Sequence, residues 1–203
     1  SFEDTLKILQ KRGKFMQEAV PSGEGAMLAV LGMSSKELDE ILEINKKKYK
    51  CFIANDNSSL QVVVSGLKKD INLLSDDLNN KKIKNIKLNV SAPFHCKYMK
   101  SASEKMTSYI NDLNMNELKK PIISNVTANE TSSSSEIKSL LISQIEKKVR
   151  WLESVEYMIN NGVKNFVEIG PGKVLSGLIK RINKNVIVNS INSVEDIKLL
   201  TND

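Results

Sequence analysis

Gly25-Ala26-Met27-Leu28-Ala29-Val30-Leu31-Gly32 is an apolar run held between two glycines. Its shortness and its bounding glycines predict a buried strand rather than a helix. Ser34 and Glu37 follow as a capping box, so a helix is predicted to start there, with Leu38, Ile41 and Leu42 on its buried side. Further out, residues 51–54 read as a short strand and residues 55–59, Asn-Asp-Asn-Ser-Ser, as a turn. Residues 60–65 read as another strand, closed by Gly66, and a second helix carries Ile71, Leu74 and Leu78. Ile86, Leu88 and Val90 alternate with polar residues, which predicts a last strand with one buried face. The order is βαββαβ, and residues 23–90 are expected to form a subdomain of ferredoxin-like type.

Directly after this block comes Val90-Ser91-Ala92-Pro93-Phe94-His95, which holds the one histidine of the chain. An apolar strand, a proline-stiffened corner and a helix with Met99, Ala102, Met106 and Leu113 on one side are predicted around it. An imidazole there has the chemistry of a general base near neutral pH. A single structural or surface histidine is the plainer reading. Before the block, residues 3–18 read as a helix with Phe2, Leu6, Leu9, Gly13 and Met16 as its apolar stripe. Arg12 borders that stripe. Its guanidinium either snorkels to solvent or grips a carboxylate through two parallel hydrogen bonds.

After His95 the units lengthen. A strand is predicted over 121–126, and Ser133 with Glu136 caps a helix whose buried stripe is Ile137, Leu140, Leu141 and Ile145. Gln144 falls on that stripe, where its amide needs partners: it bridges helices or reaches into a site. Trp151 starts a helix with Val155, Met158 and Ile159 inward and Gly162 as its stop. Then follow a buried strand over 165–169, a Gly170-Pro171-Gly172 turn, a helix over 173–182, a strand over 186–191 and a short helix over 193–201. The glycines make a tight turn, or let a ligand approach free N–H groups at a helix start.

The 203 residues are 40% hydrophobic and 27% charged, enough to bury a core. No apolar run approaches a membrane span and the first residues do not read as a signal peptide, so no membrane partner is expected. Net charge is +6, which suits a phosphate-bearing ligand or an acidic protein. The lysines are scattered and lack an aromatic platform, which argues against nucleic acid. Cys51 and Cys96 make neither a disulfide framework nor a metal-ligand spacing. Free thiols in a reducing compartment are expected, with no metal and no bound cofactor. Cys96 adjoins His95, but sequence neighbours seldom face each other as a nucleophile–base pair.

Several stretches together carry a resemblance: Arg12-Gly13-Lys14-Phe15-Met16-Gln17, Ala19-Val20-Pro21 running into Gly25-Ala26-Met27, Asn55-x-Asn57 with Gln61, and Val90-Ser91-Ala92-Pro93-Phe94-His95. Gln144, Val149-x-Trp151, Ser154-Val155-x-Tyr157-Met158 and Glu168-Ile169-Gly170-Pro171-Gly172-Lys173-Val174-Leu175 continue it. In this order and spacing the chain resembles the malonyl-CoA:acyl-carrier-protein transacylases, the acyltransferases that load malonyl groups in fatty-acid synthesis. The resemblance implies an α/β-hydrolase-like acyltransferase body, here residues 1–22 and 91–203, with the ferredoxin-like subdomain inserted. It implies malonyl-CoA as substrate, acyl carrier protein as partner and a monomeric intact protein. By match, His95 is the base and Gln144 orients it through its main-chain carbonyl. Arg12 binds the malonyl carboxylate, and Asn57 lines the pocket.

One departure is large. The family's nucleophile sits in a G-x-S-x-G elbow upstream of the arginine. No G-x-S-x-G occurs in this chain, and Ser91 and Ser176 lack the flanking glycines. The chain therefore reads as the carboxyl-terminal two-thirds of a transacylase, expected to be inactive alone because its serine lies elsewhere. The alternative is a non-catalytic homologue that binds carrier protein or CoA. Composition bias points to a plastid-type, apicoplast-like organelle if the source is eukaryotic. A bacterial cytoplasm or a mitochondrion is the alternative.

Overall fold

The computed structural model describes residues 1–201 and divides into two compact units, Ser1–Trp151 and Leu152–Asp203. The first unit opens on α1 (Phe2–Gln17), capped by a reciprocal pair in which the Ser1 hydroxyl accepts from the Asp4 N–H. Then come β1 (Gly25–Leu31), α2 (Ser35–Ile44), β2 (Cys51–Ser58), β3 (Gln61–Leu67), α3 (Lys68–Asn80) and β4 (Asn85–Lys87). The four strands form one antiparallel sheet in the order β2-β3-β1-β4. The Ser34–Glu37 box caps α2 as its spacing predicts. Leu38 of α2 and Ile71, Leu74 and Leu78 of α3 are fully buried with Leu28, Val30, Val62 and Val64. Phe94 packs against the other face, on Met27, Ala29, Ala54 and Val63.

Three local expectations are corrected here. The turn predicted over 55–59 lies mostly within β2, with register shifts at Ile53/Asn55 and Asp56/Ser58. The polar run stays extended because its outer edge is paired: Asp56 N–H donates to the Val149 carbonyl (2.9 Å) and Val149 N–H to that of Ala54 (2.8 Å). The predicted last strand ends at Lys87, and Ile86, Leu88 and Val90 are 50%, 36% and 37% exposed. Ile86 pairs with Ala29 at the sheet's edge, where alternation does not guarantee cover. In α1 the stripe is rotated. Phe2, Leu6 and Leu9 are exposed, whereas Ile8, Phe15 and Met16 pack against Met99, Met106 and Ile110.

The 3-10 turn Lys97–Met99 leads into α4 (Lys100–Asn111), where Ala102 and Met106 are buried as predicted, while Leu113 lies beyond its end. β5 (Ile122–Ile123) and β6 (Glu130–Thr131) make a minimal antiparallel pair, shorter than the strand predicted over 121–126. In α5 (Ser134–Ser143), Ser133 accepts from the Glu136 N–H and Ile137 is buried, but Leu141 is exposed. α6 (Trp151–Asn160) runs from the unit boundary with Val155 buried. The second unit continues with β7 (Asn165–Ile169), α7 (Val174–Ile182), β8 (Ile187–Ile191) and α8 (Val194–Thr201). β7 and β8 pair in parallel. Phe166 is buried, while Val167, Ile169 and Ile187 on the other face are exposed, so the strand predicted as buried is covered on one side only. No described helix is long and apolar enough to cross a membrane.

Gly25 is where the sheet meets the histidine corner. A Cβ there would fall 2.2 Å from Pro93 Cδ and 2.7 Å from Ala92 Cα, a ring and a main chain that cannot swing aside. Gly25→Ala should lower stability by about 1–3 kcal/mol, read from the urea midpoint. Gly13→Ala, in open space within α1, should be neutral or stabilising by about 0.5–1 kcal/mol.

Candidate functional site

The corner before α4 is fixed by its own chemistry. Ala92 and Pro93 are buried, and the Cys96 thiol donates to the Pro93 carbonyl (3.1 Å). His95 adopts φ 58°, a left-handed conformation that histidine tolerates better than most residues. Gln17 Nε2 ties the end of α1 to the same corner by donating to Ser91 Oγ (2.8 Å). Both cysteines are free and buried, and burial pushes the Cys96 thiol up, so it makes no thiolate beside His95.

His95 Nδ1 lies 2.9 Å from the main-chain carbonyl of Gln144. A carbonyl only accepts, so Nδ1 carries the hydrogen and Nε2 keeps its lone pair. Burial holds the imidazole below its ordinary 6.5; the Gln144 carbonyl opposes that shift and the Arg12 charge adds to it. The ring is therefore neutral at pH 7. The Gln144 carbonyl is available because it sits at the C-terminal end of α5, where carbonyls lack helical partners.

Arg12 projects from α1 and is half-buried. Burial lowers its pKa from the ordinary guanidinium value. Among the described residues, no carboxylate forms an ion pair with it. Arg12, His95 and Gln144 all line one cavity of about 570 Å³, a size suited to a small ligand. Ile8, Leu9, Ile110, Leu113 and Val149 give it apolar walls, and Asn114, Asn116 and Asn125 add amides. A neutral base and an unpaired cation thus face a single space. Asn57, on β2, does not line that cavity.

The Gly170-Pro171-Gly172 turn differs from its reading as an open N–H cradle. The Glu168 carboxylate accepts from the N–H groups of Leu175 (3.1 Å) and Ser176 (2.7 Å), and Gly172 N–H donates to Asn192 Oδ1 (2.6 Å). The start of α7 is already occupied by a carboxylate of its own chain. Conversely, the three lining asparagines had no sequence signal: Asn114 and Asn116 sit in an aperiodic connection, where asparagine reads as ordinary turn chemistry, and Asn125, within the strand predicted over 121–126, lies in a turn after β5.

The family described as acyl transferase domain matches residues 1–198. The chain is 43% identical over 202 residues to the malonyl CoA-acyl carrier protein transacylase of Staphylococcus aureus strain MRSA252, covering 98% of this chain and 65% of that protein. It is 40% identical over 201 residues to the enzyme of the same name from Bacillus subtilis strain 168, covering 98% and 63%. The crystal structure of malonyl CoA-acyl carrier protein transacylase from Clostridium perfringens superposes with a TM-score of 0.93 at 40% identity, covering all of this chain and 64% of that one. The chain thus spans just under two thirds of the length of these relatives.

The sole histidine gives one imidazole signal to follow. NMR titration should place its midpoint below 6.5; a midpoint at or above that value contradicts the burial argument. With the folded pKa below the unfolded one, the folded chain binds fewer protons. The stability contribution is complete above about pH 6.5 and is lost as pH falls through the folded pKa. Unfolding midpoints should therefore drop more steeply on acidification in the parent chain than in His95→Gln.

Proposed function

This chain belongs to the acyl transferase domain family, and from that premise we propose that its protein transfers a malonyl group from malonyl-CoA to the phosphopantetheine thiol of acyl carrier protein in fatty-acid synthesis. The observation that carries the reading is the sharing of one cavity by a neutral His95 and an unpaired Arg12. His95 Nε2 takes the proton of a serine hydroxyl as its oxygen attacks the malonyl thioester carbonyl, and returns that proton to the departing CoA sulfur. In the second half Nε2 takes the proton of the carrier thiol. The sulfur attacks the serine ester, and the serine oxygen leaves with the proton. The Gln144 carbonyl holds the ring in the required tautomer without a carboxylate third member.

Arg12 binds the free carboxylate of the malonyl group and so selects it over neutral acyl groups. Asn57 keeps a substrate-binding role on the resemblance alone, outside the cavity that His95 and Arg12 share. The serine belongs to a G-x-S-x-G elbow that this chain does not contain, so the chain by itself is inactive. The body is hydrolase-like, residues 1–22 and 91–203. Residues 23–90 form its ferredoxin-like insert, a reading supported by the βαββαβ order and the β2-β3-β1-β4 sheet. We take the intact protein to be a monomer without a bound cofactor. The relatives compared are bacterial, which favours a bacterial setting over an organelle. The second reading is a homologue that only binds carrier protein or CoA.

Incubation of this chain with malonyl-CoA should give no covalent adduct by mass spectrometry; an adduct would place the nucleophile inside it. In a full-length protein carrying the elbow, Arg12→Ala should cut kcat/KM for malonyl-CoA about 10- to 100-fold, the worth of a charge-assisted hydrogen bond of about 1.5–3 kcal/mol. Acetyl-CoA should be little affected. Equal losses for both substrates would remove the carboxylate-binding role. A full-length protein with no transfer activity but retained carrier binding would support the second reading.

A further inference from the structure

Two segments meet at the His95 ring, and they are tied together a second time away from it. One leaves His95 through the 3-10 turn Lys97–Met99 into α4, where Ser103 is 5% exposed. The other leaves Gln144 through a turn in which the N–H groups of Glu146 (3.2 Å) and Lys147 (3.0 Å) both donate to the Ser143 carbonyl. Between them the Ser103 hydroxyl donates to the Glu146 carboxylate. Ser103 Oγ also lies 3.0 Å from the Lys100 carbonyl. It has one hydrogen to give, and the bond to a charged acceptor is the stronger. The path closes on itself: His95, α4, Ser103, Glu146, Gln144, and back across the Nδ1–H···O bond.

We propose that Glu146 and Ser103 are positioning residues that set the spacing of the His95–Gln144 hydrogen bond and thereby keep the imidazole hydrogen on Nδ1. A carboxylate side chain can turn to follow a ring; a main-chain carbonyl cannot. Its distance from Nδ1 is decided by where the 144–147 turn sits, and a turn at a helix C-terminus has few intrahelical bonds to hold it. Glu146 supplies the anchor. Glu146 is bonded to Ser103 rather than to His95, so it acts through geometry. The Lys147 main chain belongs to the same anchored turn.

This inference rests on reading His95 as a base whose Nε2 must be bare, but its test does not use acyl transfer. In the 15N-labelled chain above its titration midpoint, long-range proton–nitrogen correlations of the one imidazole report the tautomer directly. The parent should show Nδ1–H. Glu146→Ala and Ser103→Ala should each release a substantial population to Nε2–H, the form that an unconstrained neutral imidazole prefers. Glu146→Gln, whose amide oxygen still accepts from Ser103, should stay close to the parent. Folded alanine variants that keep the parental Nδ1–H population would overturn the proposal. So would a Glu146→Gln variant as disturbed as Glu146→Ala. If Glu146→Ala does not fold, Ser103→Ala removes the same bond from its other end. A parental full-length protein that carries out no malonyl transfer, with tautomers behaving as described, would count against the proposed reaction, not against this clamp.

Discussion

An imidazole hydrogen shared with a main-chain carbonyl is the interaction on which the site turns. A carboxylate in the carbonyl's place would raise the ring's pKa and favour imidazolium. The Gln144 carbonyl orients His95 yet adds no charge, and burial with the nearby Arg12 guanidinium then keeps the ring neutral. That neutrality matters because the same cavity holds an unpaired cation. A base with its own permanent anionic partner would offer Arg12 an internal counter-ion and compete with any carboxylate arriving on a substrate.

Much of the chain was legible because the deciding contacts are local. The Ser34–Glu37 and Ser133–Glu136 caps close over three residues, and the helices that they start lie where the spacing put them. The apolar faces of α2 and α3 follow from periodicity alone, and Leu38, Ile71, Leu74 and Leu78 reach zero exposure. The failures come from contacts distant in sequence. Residues 55–58 look like a turn until Val149 pairs with the outer edge of β2. Ile86, Leu88 and Val90 alternate correctly for a strand, but an edge position leaves them uncovered.

The site was legible to a different degree. His95 and Arg12 stand out by residue type, since few side chains supply a neutral base or a bidentate cation. Periodicity singled out Gln144 for its side-chain amide, but its main-chain role was visible only through the family resemblance, because every residue type carries a backbone carbonyl. Asn114, Asn116 and Asn125 gave no signal, the first two being polar residues in a connection, where polar residues are the rule. The Gly-Pro-Gly turn left two readings open, and the one with free N–H groups does not hold: the neighbouring helix start is filled by Glu168 from within the same segment.

The contact of Pro93 on Gly25 has a consequence for modularity. The first residue of the four-stranded sheet serves as the stop against which the histidine corner rests, with Phe94 keyed into the sheet's underside. The sheet is therefore not a detachable cassette. A chimera that exchanged it for a homologue's version would have to import the corner as well, or the imidazole would inherit a seat shaped for a different loop.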